Sequence, residues 1–153
     1  MSKESVIPRI YFDVCAICRP FDDQAEMRVQ METAAFLLIL DKVKQGAYSA
    51  TLSEVHLAEL YAIRQLWLKT EALLIAQRFE QVEVRDHQRL RGRAETLHEL
   101  GFGVADAAHL AYAEEIADFF ISCDDRLIRK SKACELLVDV CSPVEFVMAE
   151  GLK

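Results

Sequence analysis

Apolar and polar positions in this chain switch repeatedly between a period of two and a period near 3.6. Pro8–Phe12 (PRIYF) is short, β-branched and aromatic and stops at Asp13, the pattern of a buried strand with a carboxylate at its C-terminal end. Asp23 with Glu26 three residues on is a capping-box pattern, and Met27, Met31, Ala34 and Leu38 follow at helical spacing until Gly46 stops them. Ala47–Leu52 reads as a second strand. Ser53 is an N-cap for a helical stretch to about Arg78, with a break expected near Lys69–Thr70. Gln81–Val84 is a weak third strand. Asp86 caps a helix through Leu100 that closes at Gly101, with Gly92 tolerated inside it. Val104 to Glu115 is helical and leads into the strand Phe119–Cys123. Arg126–Ala133 is helical, Leu136–Val140 a fifth strand, and Ser142-Pro143 opens a last short helix with Pro at its first position.

Strands alternate with helices throughout, so the expected fold is α/β: a mostly parallel, five-stranded sheet covered by helices on both faces. No linker or repeat interrupts it, and residues 1–153 read as a single domain. Composition agrees. With 52% hydrophobic residues, a chain of 153 can bury roughly 70% of its unfolded surface and needs neither disulfides nor a structural metal. Asp41 ends the apolar stretch Thr33–Leu40, and Asp118 and Asp124 bracket Phe119–Cys123, so no run reaches the roughly 18 apolar residues of a membrane span. Nothing in Met1 to Ile7 resembles a secretory leader, and a cytoplasmic protein is expected. The five cysteines lie in apolar segments and read as small buried hydrophobes. Cys15-x-x-Cys18 lacks the second CxxC or the paired histidines that a zinc site would need.

The candidate chemistry lies in the acids. In an open parallel sheet, ligands bind beyond the carboxyl ends of the strands, where the strand order reverses. Two apolar strands here end in acid, IYF-Asp13 and FFISC-Asp124-Asp125, and in a sheet of order 3-2-1-4-5 they would be neighbours at that reversal. Asp106 lies in the first turn of the helix before the fourth strand, where the helix dipole favours a negative charge. Glu59, in SEVHLAEL, can reach the same edge if its helix packs beside the first strand; Glu54 is the alternative if that helix is rotated. Each acid alone has an ordinary explanation as cap, turn or solvated surface. Convergence is different, because two carboxylates about 5 Å apart repel by roughly 3 kcal/mol at an effective dielectric near 20. Four together require positive charge, and an all-oxygen set suits Mg²⁺ or Mn²⁺ rather than zinc.

The strand-Asp opening (IYFDVCAICRPFDD), the acid in SEVHLAEL, the helix GVADAAHLAYAEE and the strand end ISCDDRL together resemble the PIN domain, a fold of metal-dependent ribonucleases. The resemblance runs from Ile10 to Pro143. It implies a three-layer α/β/α fold and a four-acid site at Asp13, Glu59, Asp106 and Asp124, with Asp125 as the other acid of the last motif. Many relatives are toxins of bacterial toxin–antitoxin pairs, so it also implies an RNA substrate and a small antitoxin protein as partner. Val14 and Cys15 stand where the family commonly has Thr and then Asn or Ser.

The formal charge of −7 demands a local basic patch to grip RNA. Arg85, Arg89, Arg91 and Arg93 form one candidate group, and Arg126, Arg129, Lys130 and Lys132 another; a solvated helix face is the alternative for each. His109 shares a helical face with Asp106 and either orients a ligand or is a packed core residue. Tyr61 and Trp67 read as core or as a dimer surface, and a homodimer is expected. Two other functions compete. A phosphohydrolase of the haloacid-dehalogenase kind would need a second Asp where Cys15 stands. A catalytically weak or inactive scaffold of the PIN kind would bind RNA or a protein without cutting.

Overall fold

The computed structural model describes residues 6–153; the reading of Met1 to Ile7 as lacking a leader falls largely on residues 1–5, outside the described residues. In chain order the elements are β1 (Arg9–Phe12), α1 (Val14–Cys18), a 3₁₀ turn at Arg19–Phe21, α2 (Met27–Lys44), β2 (Ser49–Leu52) and α3 (Glu54–Ala62). There follow α4 (Leu66–Ala76), β3 (Glu80–Gln81), α5 (His87–Glu99), α6 (Val104–Ile116), β4 (Phe119–Ile121), α7 (Asp125–Lys132), β5 (Asp139–Cys141) and α8 (Pro143–Glu150). The strands form one sheet of order β3-β2-β1-β4-β5. All four pairings are parallel, with Ile10 opposite Ala50 on one side and opposite Phe119 on the other. The fold is three-layer α/β/α, as expected, with a sheet that is parallel throughout.

Period-two alternation sends successive side chains of β1 to opposite faces. Ile10 and Phe12 enter a core shared with α1, α2, α3, α4 and α8 through Ile17, Phe36, Ile39, Leu60, Ala72 and Phe146. Tyr11 points the other way, into a core built with α5, α6 and α7 through Leu97, Leu110 and Leu127. That parity puts a phenol on the α6 side of the sheet.

Local signals explain most boundaries. Ser53 caps α3 by accepting from His56 N–H at 3.3 Å, while His56 Nδ1 accepts from Ser53 N–H at 3.0 Å, a capping box closed by histidine. Ser142 and Glu145 close another on α8, with Pro143 at its first position. Gly46 and Gly101 take φ of 82° and 105° just beyond α2 and α5, a left-handed turn that glycine adopts without strain.

Five points of the expectation need correction. The Asp23/Glu26 capping box does not form: Asp23 spends its carboxylate on Ala25 N–H in a local turn, and α2 begins only at Met27. The long helix breaks at Ile63–Gln65, not at Lys69–Thr70, because Ile63 goes extended and packs into the first core, while Thr70 Oγ1 bonds Leu66 O inside an intact helix. The third strand is Glu80–Gln81 and the fifth begins at Asp139, since only those residues meet a neighbour in register. The helix α1 directly after Asp13 was not anticipated. Tyr61 and Trp67 are not core residues; they are 63% and 58% exposed.

Candidate metal centre

Asp13 ends β1 and begins α1. Its N–H bonds Ile121 O at 2.8 Å and its C=O receives Ala16 N–H at 2.9 Å, so the backbone is pinned to β4 on one side and to a helix on the other. The carboxylate is buried and faces donors rather than cations. Ser122 Oγ donates to Asp13 Oδ2 at 2.7 Å, and the Cys15 thiol approaches the same oxygen at 3.3 Å. Ser122 Oγ also accepts from Asp124 N–H at 3.0 Å, and Cys15 Sγ accepts from Cys123 N–H at 3.3 Å. The ends of β1 and β4 are thereby stitched together. Ser122 and Cys15 thus supply the polar support of the Asp13 carboxylate. The signal for Ser122 was present in the sequence as the one hydroxyl within FFISC. Burial pushes the Asp13 carboxyl above its usual range, partly offset by His109, Ser122 and Cys15.

Glu59 comes in from α3 and His109 from α6, joined by His109 Nε2 and Glu59 Oε1 at 2.9 Å. One ligand atom each from Asp13, Glu59 and His109 lies within 4.8 Å of the others. Metal–ligand bonds of about 2.0–2.6 Å can span such a gap. Asp106 stands in the first turn of α6, half-buried, with its carboxyl pushed up by burial and then by the charges of Asp13 and Asp124. Asp124 caps α7, where its Oδ1 accepts from Arg126 and Leu127 N–H at 3.0 and 3.3 Å.

Neighbouring acids lie elsewhere. Asp125 is held by Arg28. Glu54 is exposed and accepts a long hydrogen bond of 3.4 Å from Tyr112. Among the described residues no Lys or Arg forms an ion pair with Asp13, Glu59, Asp106 or Asp124; the sole ion-pair partner is His109, on Glu59. Asp13 is buried, Glu59 and Asp106 are half-buried and Asp124 is exposed; acids so placed with no ammonium or guanidinium partner fit a divalent cation. The group contains no Cys–His ligand set among the described residues, and the five cysteines are free thiols.

The basic candidates divide. Arg89 pairs with Glu115, Arg93 with Glu114 and Lys132 with Glu145, while Lys130 Nζ donates to Gly101 O at 2.6 Å over the Phe102 ring. Arg85, Arg91, Arg126 and Arg129 are exposed and without an ion-pair partner among the described residues.

No family model matches this sequence, and no curated protein is similar to it at a significant level. Among solved structures, the chain is similar to the crystal structure of FitAcB from Neisseria gonorrhoeae, with 18% identity over 88% of this chain and 97% of that chain and a TM-score of 0.48. The described helices include none long and apolar enough to cross a membrane.

Proposed function

We propose that this protein is a metal-dependent endoribonuclease that hydrolyses phosphodiesters of single-stranded RNA, with Asp13, Glu59, Asp106 and Asp124 as metal-holding and catalytic residues. One observation carries the reading. Ligand atoms of Asp13 from β1, Glu59 from α3 and His109 from α6 lie within 4.8 Å of one another, the charges of Asp13 and Asp124 bear on Asp106, and among the described residues no lysine or arginine pairs with these acids. Mg²⁺ or Mn²⁺ there would supply the positive charge and the Lewis acidity that activates water against a phosphodiester.

The chain's own groups would do the rest. Ser122 and Cys15 hold the Asp13 carboxylate in one orientation through Oδ2. His109 donates to Glu59 and holds it towards Asp13. Arg126, in the first turn of α7 beside Asp124, and Arg129 on the same helix would take the flanking phosphates of a flexible strand. The partners that the resemblance implies belong to the same proposal: a small antitoxin and a second copy of the chain. Tyr61, Leu66 and Trp67 offer them an apolar surface, all more than half exposed.

The assay is cleavage of a labelled single-stranded RNA pool with Mn²⁺ or Mg²⁺. Cleavage that is abolished by a chelator and lost in Asp106→Ala is expected. RNA left intact by pure protein at saturating metal overturns the reading and leaves the non-cutting scaffold.

A further inference from the structure

Behind the acids runs a buried string of hydrogen bonds that the proposed chemistry does not use. Tyr11, fully buried on the α6 side of β1, places its hydroxyl between Ser53 Oγ, at 2.7 Å, and His109 Nδ1. The other nitrogen of His109 meets Glu59. Ser53 is the cap of α3, the helix that carries Glu59, so the bonds close a ring through β1, α6 and α3.

One direction in this ring is fixed by the carboxylate. An ionised carboxylate only accepts, so Nε2 of His109 carries a hydrogen towards Glu59. His109 Nδ1, on the far side of the ring, meets the Tyr11 hydroxyl. The Tyr11 hydroxyl in turn shares a hydrogen bond with the Ser53 hydroxyl. His56 is locked independently: its Nδ1 accepts from Ser53 N–H at 3.0 Å and its Nε2–H donates to Phe12 O at 2.6 Å. Ser53 Oγ accepts from His56 N–H at 3.3 Å and lies 3.3 Å from His56 Nδ1 as well as 2.7 Å from the Tyr11 hydroxyl. The string Ser53, Tyr11, His109 therefore ends on Glu59.

We infer that Tyr11 and Ser53 are positioning residues that act through His109 to hold the Glu59 carboxylate towards Asp13 for a divalent cation. The inference rests on the metal reading above and extends it to groups that touch neither metal nor RNA. Glu59 needs such support because it is the half-exposed member of the close set, the side chain with most freedom to swing into solvent. Partners behind a ligand fix its orientation, and losing one typically weakens metal binding about 10- to 100-fold.

The test is Mn²⁺ affinity of the full chain, read from the free-ion electron paramagnetic resonance signal, for wild type, Tyr11→Phe, Glu59→Gln and the double variant. Tyr11→Phe removes one oxygen and keeps the ring stacked on His56 and Phe120. A drop of about tenfold or more is expected in the wild-type background and none in the Glu59→Gln background. Unchanged affinity in Tyr11→Phe, or an equal drop in both backgrounds, overturns the inference while the metal reading stands. Wild-type protein that binds no Mn²⁺ overturns both. If circular dichroism shows Tyr11→Phe unfolded, Ser53→Thr and Ser53→Ala replace it: Thr is expected to keep the affinity and Ala to lose it, and equal affinities overturn the inference.

Discussion

Arg28 holds Asp125 in a fork, Nη1 to Oδ2 at 2.8 Å and Nη2 to Oδ1 at 3.0 Å, and the same Nη2 also reaches Cys123 O at 2.9 Å. The fork commits Asp125 to α2 and leaves Asp124, the next residue back, as the acid whose charge acts on Asp106.

Substituting the two neighbours should therefore give opposite results. Asp124→Asn is expected to weaken Mn²⁺ binding by more than the roughly tenfold of a lost outer contact. Asp125→Asn is expected to leave binding unchanged and to cost under about 1 kcal/mol, because both members of its pair are half exposed. Titration calorimetry reads the first effect and urea unfolding the second; the reverse order would remove Asp124 from the site.

Asp13→Asn should change sign with metal. Burial holds the Asp13 carboxyl above its unfolded range, so its ionised form at neutral pH costs folded-state stability. In metal-free protein the substitution should be neutral or stabilising. At Mn²⁺ one hundredfold above its dissociation constant, wild type gains about 2.7 kcal/mol and the variant does not. Thermal melts with and without Mn²⁺ should show the two proteins exchanging rank, and a fixed rank would argue against a cation at Asp13.

His56 should make stability pH-dependent. Burial lowers its pKa from 6.5 to about 3, helped by the nearby His109, so between those values the unfolded chain binds a proton that the folded chain refuses. Stability from the neutral ring is thus fully present above pH 6.5 and is lost as pH falls towards 3, by up to about 1.4 kcal/mol per pH unit. Urea midpoints of wild type should fall more steeply over this window than those of His56→Gln. Parallel curves would refute the effect.

Glu32 is a buried carboxylate, 3.0 Å from Arg19 and 2.8 Å from Arg28. Through Arg28 it links α2 to the Cys123 carbonyl and Asp125, the stretch that bears Asp124. Glu32→Ala would leave two guanidiniums facing each other and is expected to cost about 2 to 4 kcal/mol in urea unfolding. A loss below about 0.5 kcal/mol would show that the pairing contributes nothing net.

The sequence by itself determined the alternation of strands and helices, the acids at the ends of β1 and β4, the caps at Ser53, Asp86 and Ser142, and the stops at Gly46 and Gly101. These features depend on backbone sterics and on hydrogen bonds within a few residues, which residue type and spacing report directly. Tertiary packing decided the rest. The helix break at Ile63–Gln65 has no Gly or Pro to announce it, and the start of α2 depends on where Asp23 spends its carboxylate. The choice of Glu59 over Glu54 came from how α3 lies against α6. The ring behind the acids joins Tyr11 to residues 42 and 98 positions away, because the parity of β1 aims that phenol at α6. Hydrogen bonds between such distant groups leave no periodic trace in a chain; they exist only once the two cores have closed on the sheet.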